Sequence, residues 1–146
     1  MASYGTYADG DTYFATRLWV SAWTEASDAN KMIALAEATT RIDQLRFYGE
    51  KTDADQDNEF PRDTDDTPDE IKYACFEIAL ELLDGKNPDI EFENLSIKMH
   101  RYDKVHTERS GAMPAHTLAG IPSVLGWRYL EPYLASNRTL RISRVS

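Results

Sequence analysis

The residues of this chain best suited to chemistry are its carboxylates. Asp53, Asp55, Asp57 and Glu59 alternate along one segment, as the first ligands of a calcium loop do. Hard cations want several oxygen ligands around one tight turn. Here the sixth position is Asn58 instead of glycine, and the twelfth is Thr64 instead of a bidentate glutamate. Phe60-Pro61 also interrupts the path. The spacing therefore predicts a solvated, self-repelling loop with no resident metal and no cofactor. Asp63, Asp65 and Asp66 extend it, so that residues 50–70 carry 10 acidic and 2 basic side chains. In an assembly such a loop would face a neighbouring subunit's arginines or line a channel that repels DNA phosphates.

Nucleophilic and metal chemistry find little else. His100, His106 and His116 have no cysteine partner at zinc spacing. No metalloprotease helix, phosphate-binding glycine loop or nucleophile elbow occurs. Cys75 is the single cysteine, so no internal disulfide can form, which suits a reducing compartment. It lies on an apolar helical stripe and reads as a small buried hydrophobe. No catalytic residues are assigned, and the chain reads as a non-enzyme.

The basic residues gather elsewhere. The net charge is −9, but residues 1–97 hold 8 basic and 22 acidic side chains, a balance of −14. Residues 98–146 hold 8 basic and 3 acidic, a balance of +5. Arg101, Lys104 and Arg109 surround Tyr102, a pattern that can hold a phosphate backbone beside an aromatic platform. The tail alternates Arg138, Arg141 and Arg144 with Leu140, Ile142 and Val145. It is too short for a stable sheet alone and reads as an arm that gains order on a partner's edge or groove, or as a frayed terminus. The strongly acidic body argues against broad wrapping of nucleic acid.

Positioning these groups falls to helices. The 146 residues suffice for one domain with a modest core. No run approaches the roughly 18 apolar residues of a membrane span, and the first residues lack a secretory pattern, so a loose leader over 1–8 and no membrane partner are expected. The spacing predicts a first helix over Thr12–Trp23, capped by Asp9 or Asp11, with Trp19 and Trp23 packed one turn apart. A second helix is expected over Ala29–Phe47, opened by Asp28. Its apolar stripe runs through Met32, Leu35, Ile42 and Leu45, and Glu37 pairs with Arg41. A third begins at Pro68, with Ile71, Cys75, Ile78 and Leu82 on its stripe, and ends at Gly85. Phe60 would dip back and pin the acidic loop. A last helix starts at Pro122, carries Trp127, and ends near Pro132. The predicted core is Trp23, Leu35, Ile42, Leu45, Ile71, Cys75, Ile78, Leu82 and Trp127. The fold class is mainly α: a small bundle of about four helices, an extended or β-hairpin arm, and an extended C-terminal tail. The divisions expected are a domain over 1–137, with an extended segment at about 90–117, and an arm over 138–146. Residues 108–117 read as a mobile loop.

Several phrases together carry a likeness. They are Thr12-Tyr-Phe-Ala-Thr-Arg-Leu18, Ala36-Glu-Ala-Thr-Thr-Arg-Ile-Asp43, Phe47-Tyr-Gly-Glu-Lys-Thr52, Phe60-Pro-Arg62, Pro68-Asp-Glu-Ile-Lys-Tyr-Ala-Cys-Phe-Glu-Ile-Ala-Leu80, Ala119-Gly-Ile-Pro-Ser123 and Trp127-Arg-Tyr-Leu-Glu-Pro-Tyr133. In their order and spacing the chain resembles tailed-bacteriophage head-to-tail connector (adaptor) proteins, some of which are labelled DnaT-like single-stranded DNA-binding proteins. The resemblance implies a structural virion protein at the head-tail junction, assembled in the host cytoplasm. It would form a ring of twelve copies that binds the portal protein through the C-terminal arm and meets a tail or nozzle protein. Double-stranded DNA would pass through it without sequence-specific contact. The alternative is a single-stranded DNA-binding protein, in which Arg138, Arg141 and Arg144 hold the strand.

Overall fold

The computed structural model describes residues 2–90, 93 and 114–136. Within them the fold is mainly α, and β structure is limited to isolated bridges, Phe47 with Leu134 and Lys51 with Arg62. The chain runs through α1 (Tyr7–Phe14), α2 (Ser21–Thr24), α3 (Asp28–Asp43), α4 (Asp69–Leu83), α5 (Ala115–Leu118) and α6 (Val124–Leu130), followed by a 3-10 turn at Glu131–Tyr133. The expected hairpin arm and the C-terminal tail, with Arg138, Leu140, Arg141, Ile142, Arg144 and Val145, lie outside the described residues. So does nearly all of the segment from 90 to 113. Residues 115–117, expected in a loop, are helical.

Helix α4 is the centre of the molecule. Ile71, Ala74, Cys75, Ile78 and Ala79 have no exposed surface, and Phe76, Glu77 and Leu80 are buried on its other sides. A helix buried on several faces needs neighbours on each of them. α3 and α6 pack against it over the longest stretches, with α1 and α2 closing a further side. In α6, a Cβ at Gly126 would come within 3.3 Å of the Ala74 carbonyl oxygen, so glycine lets the two helices approach closely. α3 begins where the Ser27 hydroxyl accepts from the Asn30 amide at 3.2 Å and presents Leu35, Ala38, Thr39 and Ile42 to α4. Burial of Leu35 and of Ile42 contributes about 1.5–3 kcal/mol each.

Several expectations about elements need correction, among them the end of α3, which stops at Asp43 and not at Phe47. The first eight residues are not a loose leader: Tyr4 is buried, and its amide donates to Thr39 Oγ1 at 3.1 Å. The first helix is not continuous over 12–23. Thr6, not an aspartate, caps it by accepting from the Asp9 amide at 3.1 Å, and the helix ends at Phe14. The last helix is capped by the Ser123 hydroxyl, which accepts from the Gly126 amide at 2.9 Å, so Pro122 precedes it. On α3, Met32 stands 51% exposed while the neighbouring Lys31 is buried, because its ammonium pairs with Asp11 of α1 and lies 5.2 Å from the Trp23 ring centre.

Candidate functional site

The turn between α1 and α2 departs most from a packed helical pair. Residues 15–20 leave the helix, and Trp19 takes φ of 58°, in the left-handed region that bulky side chains rarely enter. Both ends of the turn are held. The Arg17 amide donates to the Phe14 carbonyl at 3.1 Å, and the Trp23 amide donates to the Val20 carbonyl at 3.0 Å. The strained backbone turns Trp19 out to 92% exposure, with Leu18 beside it at 72%. Trp23, one helical turn further on, is 2% exposed. Its ring lies so close to Gly10 that a Cβ there would sit 2.4 Å from the indole, so only glycine permits the contact. The expected Trp19–Trp23 pair is thus split: one indole is core and the other is surface.

Two cations flank the turn, and each is held by a carboxylate. Arg17 donates to Glu77, whose Oε2 also accepts from the Tyr13 hydroxyl at 2.6 Å. The guanidinium carbon lies 5.8 Å from the Tyr13 ring centre and 5.9 Å from that of Phe14. The Glu77 hydrogen bond holds the Arg17 pKa above its ordinary value. Burial, and then the bond to Glu77, push the Tyr13 phenol up. On the other side Lys31 Nζ donates to Asp11 Oδ1 at 2.9 Å and stands 5.2 Å from the Trp23 ring centre. Trp23 Nε1 donates to the same oxygen at 2.8 Å. The hydrogen bond from Lys31 leads the causes that depress the Asp11 carboxyl below its usual range. Between these groups opens a cleft of about 430 Å³, lined by Asp11, Phe14, Arg17, Val20, Trp23 and Lys31 among others. A second cleft, of about 340 Å³, surrounds Arg41, whose Nη1 donates to the Gly120 carbonyl at 2.7 Å. Its Nη2 lies 3.6 Å from Glu37, the partner expected from sequence, and 3.5 Å from Asp89.

The acidic segment is folded rather than loose. Phe60 is buried, with its ring edge-on to those of Tyr4, Phe47 and Tyr133. The Phe60–Pro61 peptide is cis. Arg62 spans the loop: it donates from Nε to the Tyr48 carbonyl at 3.0 Å, from Nη1 to Glu59 Oε1 at 3.0 Å, and from Nη2 to the Phe47 and Gly49 carbonyls. Asp53, Asp55, Asp57, Asp63, Asp65 and Asp66 are exposed, while Glu59 is half-buried between Arg62 and Lys51. The expected self-repulsion is relieved because Asp53 Oδ1 accepts the Asp55 amide and Asp63 Oδ1 accepts the Glu50 amide. Among the described residues no group of three His, Cys, Asp or Glu side chains is arranged to hold a metal ion.

Of the residues expected in the core, Trp23, Leu35, Ile42, Ile71, Cys75 and Ile78 are buried. Leu45, Leu82 and Trp127 are half-buried and pack against that cluster. Burial pushes the Cys75 thiol up to about 11, so it stays protonated. His116 lies 2.8 Å, through Nδ1, from the Ile121 carbonyl oxygen, while His100 and His106 are outside the described residues. Arg17, Trp19 and Lys31 were not singled out from the sequence as site residues. The available signal was a succession of poor helix formers, Thr16, Trp19 and Val20, inside an assigned helix.

These features define a small helical protein with two held cations and an exposed indole around an open cleft, and a thiol of low reactivity in its core. Over residues 1–145 the chain matches the family described as "Putative DnaT-like ssDNA binding protein", and it belongs to that family. No curated protein and no solved structure matches it. Among the described residues no helix is long and apolar enough to cross a membrane.

The family match corrects the expectation of a bacteriophage head-to-tail adaptor. The family is described by binding to single-stranded DNA, not as a virion connector, so the ring of twelve, the portal and tail partners, and the virion location lose the basis on which they stood. The physical reason lies in the phrases that carried the likeness. They supply Phe14, Ala38, Ile42, Phe47, Phe60, Ile71, Cys75 and Ile121, all buried. Such phrases specify a helical core, and a core does not specify a partner. Asp11, Glu59 and Glu77 each pair with a cation already counted in the −14 balance, so that balance stands as the net charge of residues 1–97.

Proposed function

We propose that this protein binds single-stranded DNA without strong sequence preference. The observation that carries the reading is the family match across residues 1–145. The distribution of charge along the chain supports it. Residues 98–146 hold 8 basic against 3 acidic side chains, and the basic ones are interleaved with Tyr102, Leu140, Ile142 and Val145. A single strand is held by cations that displace counterions from its phosphates and by apolar or aromatic groups against its bases. Alternating arginine and aliphatic residues provide both on one short segment.

The test is fluorescence anisotropy of a labelled oligothymidylate, titrated first at low salt and then across a salt series. Binding that weakens linearly in the logarithm of salt is expected. Changing Arg138, Arg141 and Arg144 together to alanine should lower that slope by about 2, since each phosphate contact on a single strand contributes about 0.7. Absence of binding at low salt would overturn the reading.

A further inference from the structure

We propose that the α1–α2 turn is a base-stacking site for the strand, with Trp19 as its platform and the adjoining cleft as the seat of the neighbouring nucleotide. This deepens the reading of single-stranded DNA binding and rests on it.

Four observations converge on the turn. Trp19 has the greatest exposure among the large exposed hydrophobic residues, at 92%. A bulky residue at φ 58° is a conformation that the surrounding structure must enforce, and such outliers collect at ligand sites. The enforcement is visible in the amide bonds that close the turn at Phe14 and Val20, and in the anchoring of Trp23 beneath Gly10. The platform is therefore mounted on the core and is not part of a loose loop. Next to it, Arg17 and Val20 line a cleft of about 430 Å³ that reaches down to Lys31 and Asp11, within the size range of small-ligand sites. The Arg17 side chain remains 36% exposed while Glu77 fixes its guanidinium.

Charge decides what kind of contact this is. Arg17 is paired with Glu77, and Lys31 with Asp11. The turn thus offers little free positive charge for phosphates. It offers an aromatic face and a fixed guanidinium. Stacking on an exposed indole does not depend on base identity, because every base has a π-face. Phosphate neutralisation would then fall to the basic residues of the 98–146 half, and the two parts of the molecule would contribute separable terms to affinity.

That separation gives the experiment. Oligothymidylate is titrated against the full chain and against Trp19→Gly and Trp19→Phe over the same salt series, with circular dichroism and sedimentation on each protein. Glycine accepts the left-handed backbone, so this variant removes the platform without straining the turn. Expected are affinity about 5- to 150-fold weaker for Trp19→Gly, an unchanged salt slope, and recovery of much of the loss in Trp19→Phe. Indole fluorescence of the parent chain should be quenched on saturation with the strand, and that quench should largely disappear in Trp19→Phe. If the parent chain binds and Trp19→Gly binds equally well, the stacking site is wrong while the DNA-binding reading stands. Equal DNA binding combined with loss of a concentration-dependent dimer would reassign Trp19 to self-association. A lowered salt slope in Trp19→Gly would also overturn the proposal, because it would place phosphates at the turn. If the parent chain fails to bind at low salt, the broader reading falls and takes this one with it.

Discussion

The segment from 47 to 64 and the turn from 15 to 20 handle their aromatic residues in opposite ways. The longer segment is rich in exposed carboxylates, yet it sends two rings, Phe47 and Phe60, into a cluster with Tyr4 and Tyr133. Its single arginine is used internally, donating to backbone carbonyls and to Glu59. The shorter turn has no acidic residue at all, and it sends its ring outward. Its arginine keeps a third of its surface in solvent. Exposure of acid is therefore no guide to function here. The acidic segment is a structural clasp between the N-terminus, the end of α3 and the C-terminal side of the bundle. The turn, which reads as plain core from sequence, is the surface where an indole and a held guanidinium stand in solvent beside a cleft.

The comparison can be broken most readily at Phe60. Phe60→Ala should cost about 3–5 kcal/mol of unfolding free energy, as buried aromatic truncations do, measured by urea denaturation. A loss under about 1 kcal/mol would show that the segment is not clasped by its ring. Arg62→Ala is next. It leaves the Tyr48 and Phe47 carbonyls and Glu59 short of a donor, and about 2–3 kcal/mol should be lost. The effect should be nearly insensitive to DNA binding once the protein is kept folded. The smallest effect should come from changing Asp53, Asp55 and Asp57 together to asparagine. These side chains are exposed, and asparagine keeps the Oδ1 that accepts the Asp55 amide, so the urea midpoint should stay within error of the parent's and adding calcium should not raise it. A calcium-dependent rise would return the segment to the list of binding surfaces.

Much of the fold was legible before any coordinates. α4 and α3 announce themselves through apolar residues at spacings of three and four, and α4 also through proline and acid at its start and Gly85 beyond its end. The return of Phe60 to the core could be read from an aromatic residue isolated in a polar stretch. The candidate site was not legible. Periodicity registers that Trp19 and Trp23 are both apolar and four apart, but it has no term for the strained residue that turns one of them outward. Nor could it place Lys31 inside the bundle, because the partner that makes its burial tolerable, Asp11, lies 20 residues away. The N-terminal residues were misread for a similar reason: Tyr4 is ordered by Thr39 and by Asp43, and neither is a neighbour in sequence.

By itself the sequence determined the helical class, the central stripe of α4, the lack of recognisable catalytic or metal motifs, and the concentration of basic residues after position 97. These follow from local period, composition and spacing, which do not depend on where distant segments meet. Only the tertiary structure decided which carboxylates are spent on internal cations, that Arg62 closes the acidic segment, and that Trp19 stands in solvent beside a cleft. Each of these depends on pairs brought together by packing around α4, and a hydrogen bond or a buried charge has no energy until its partner arrives.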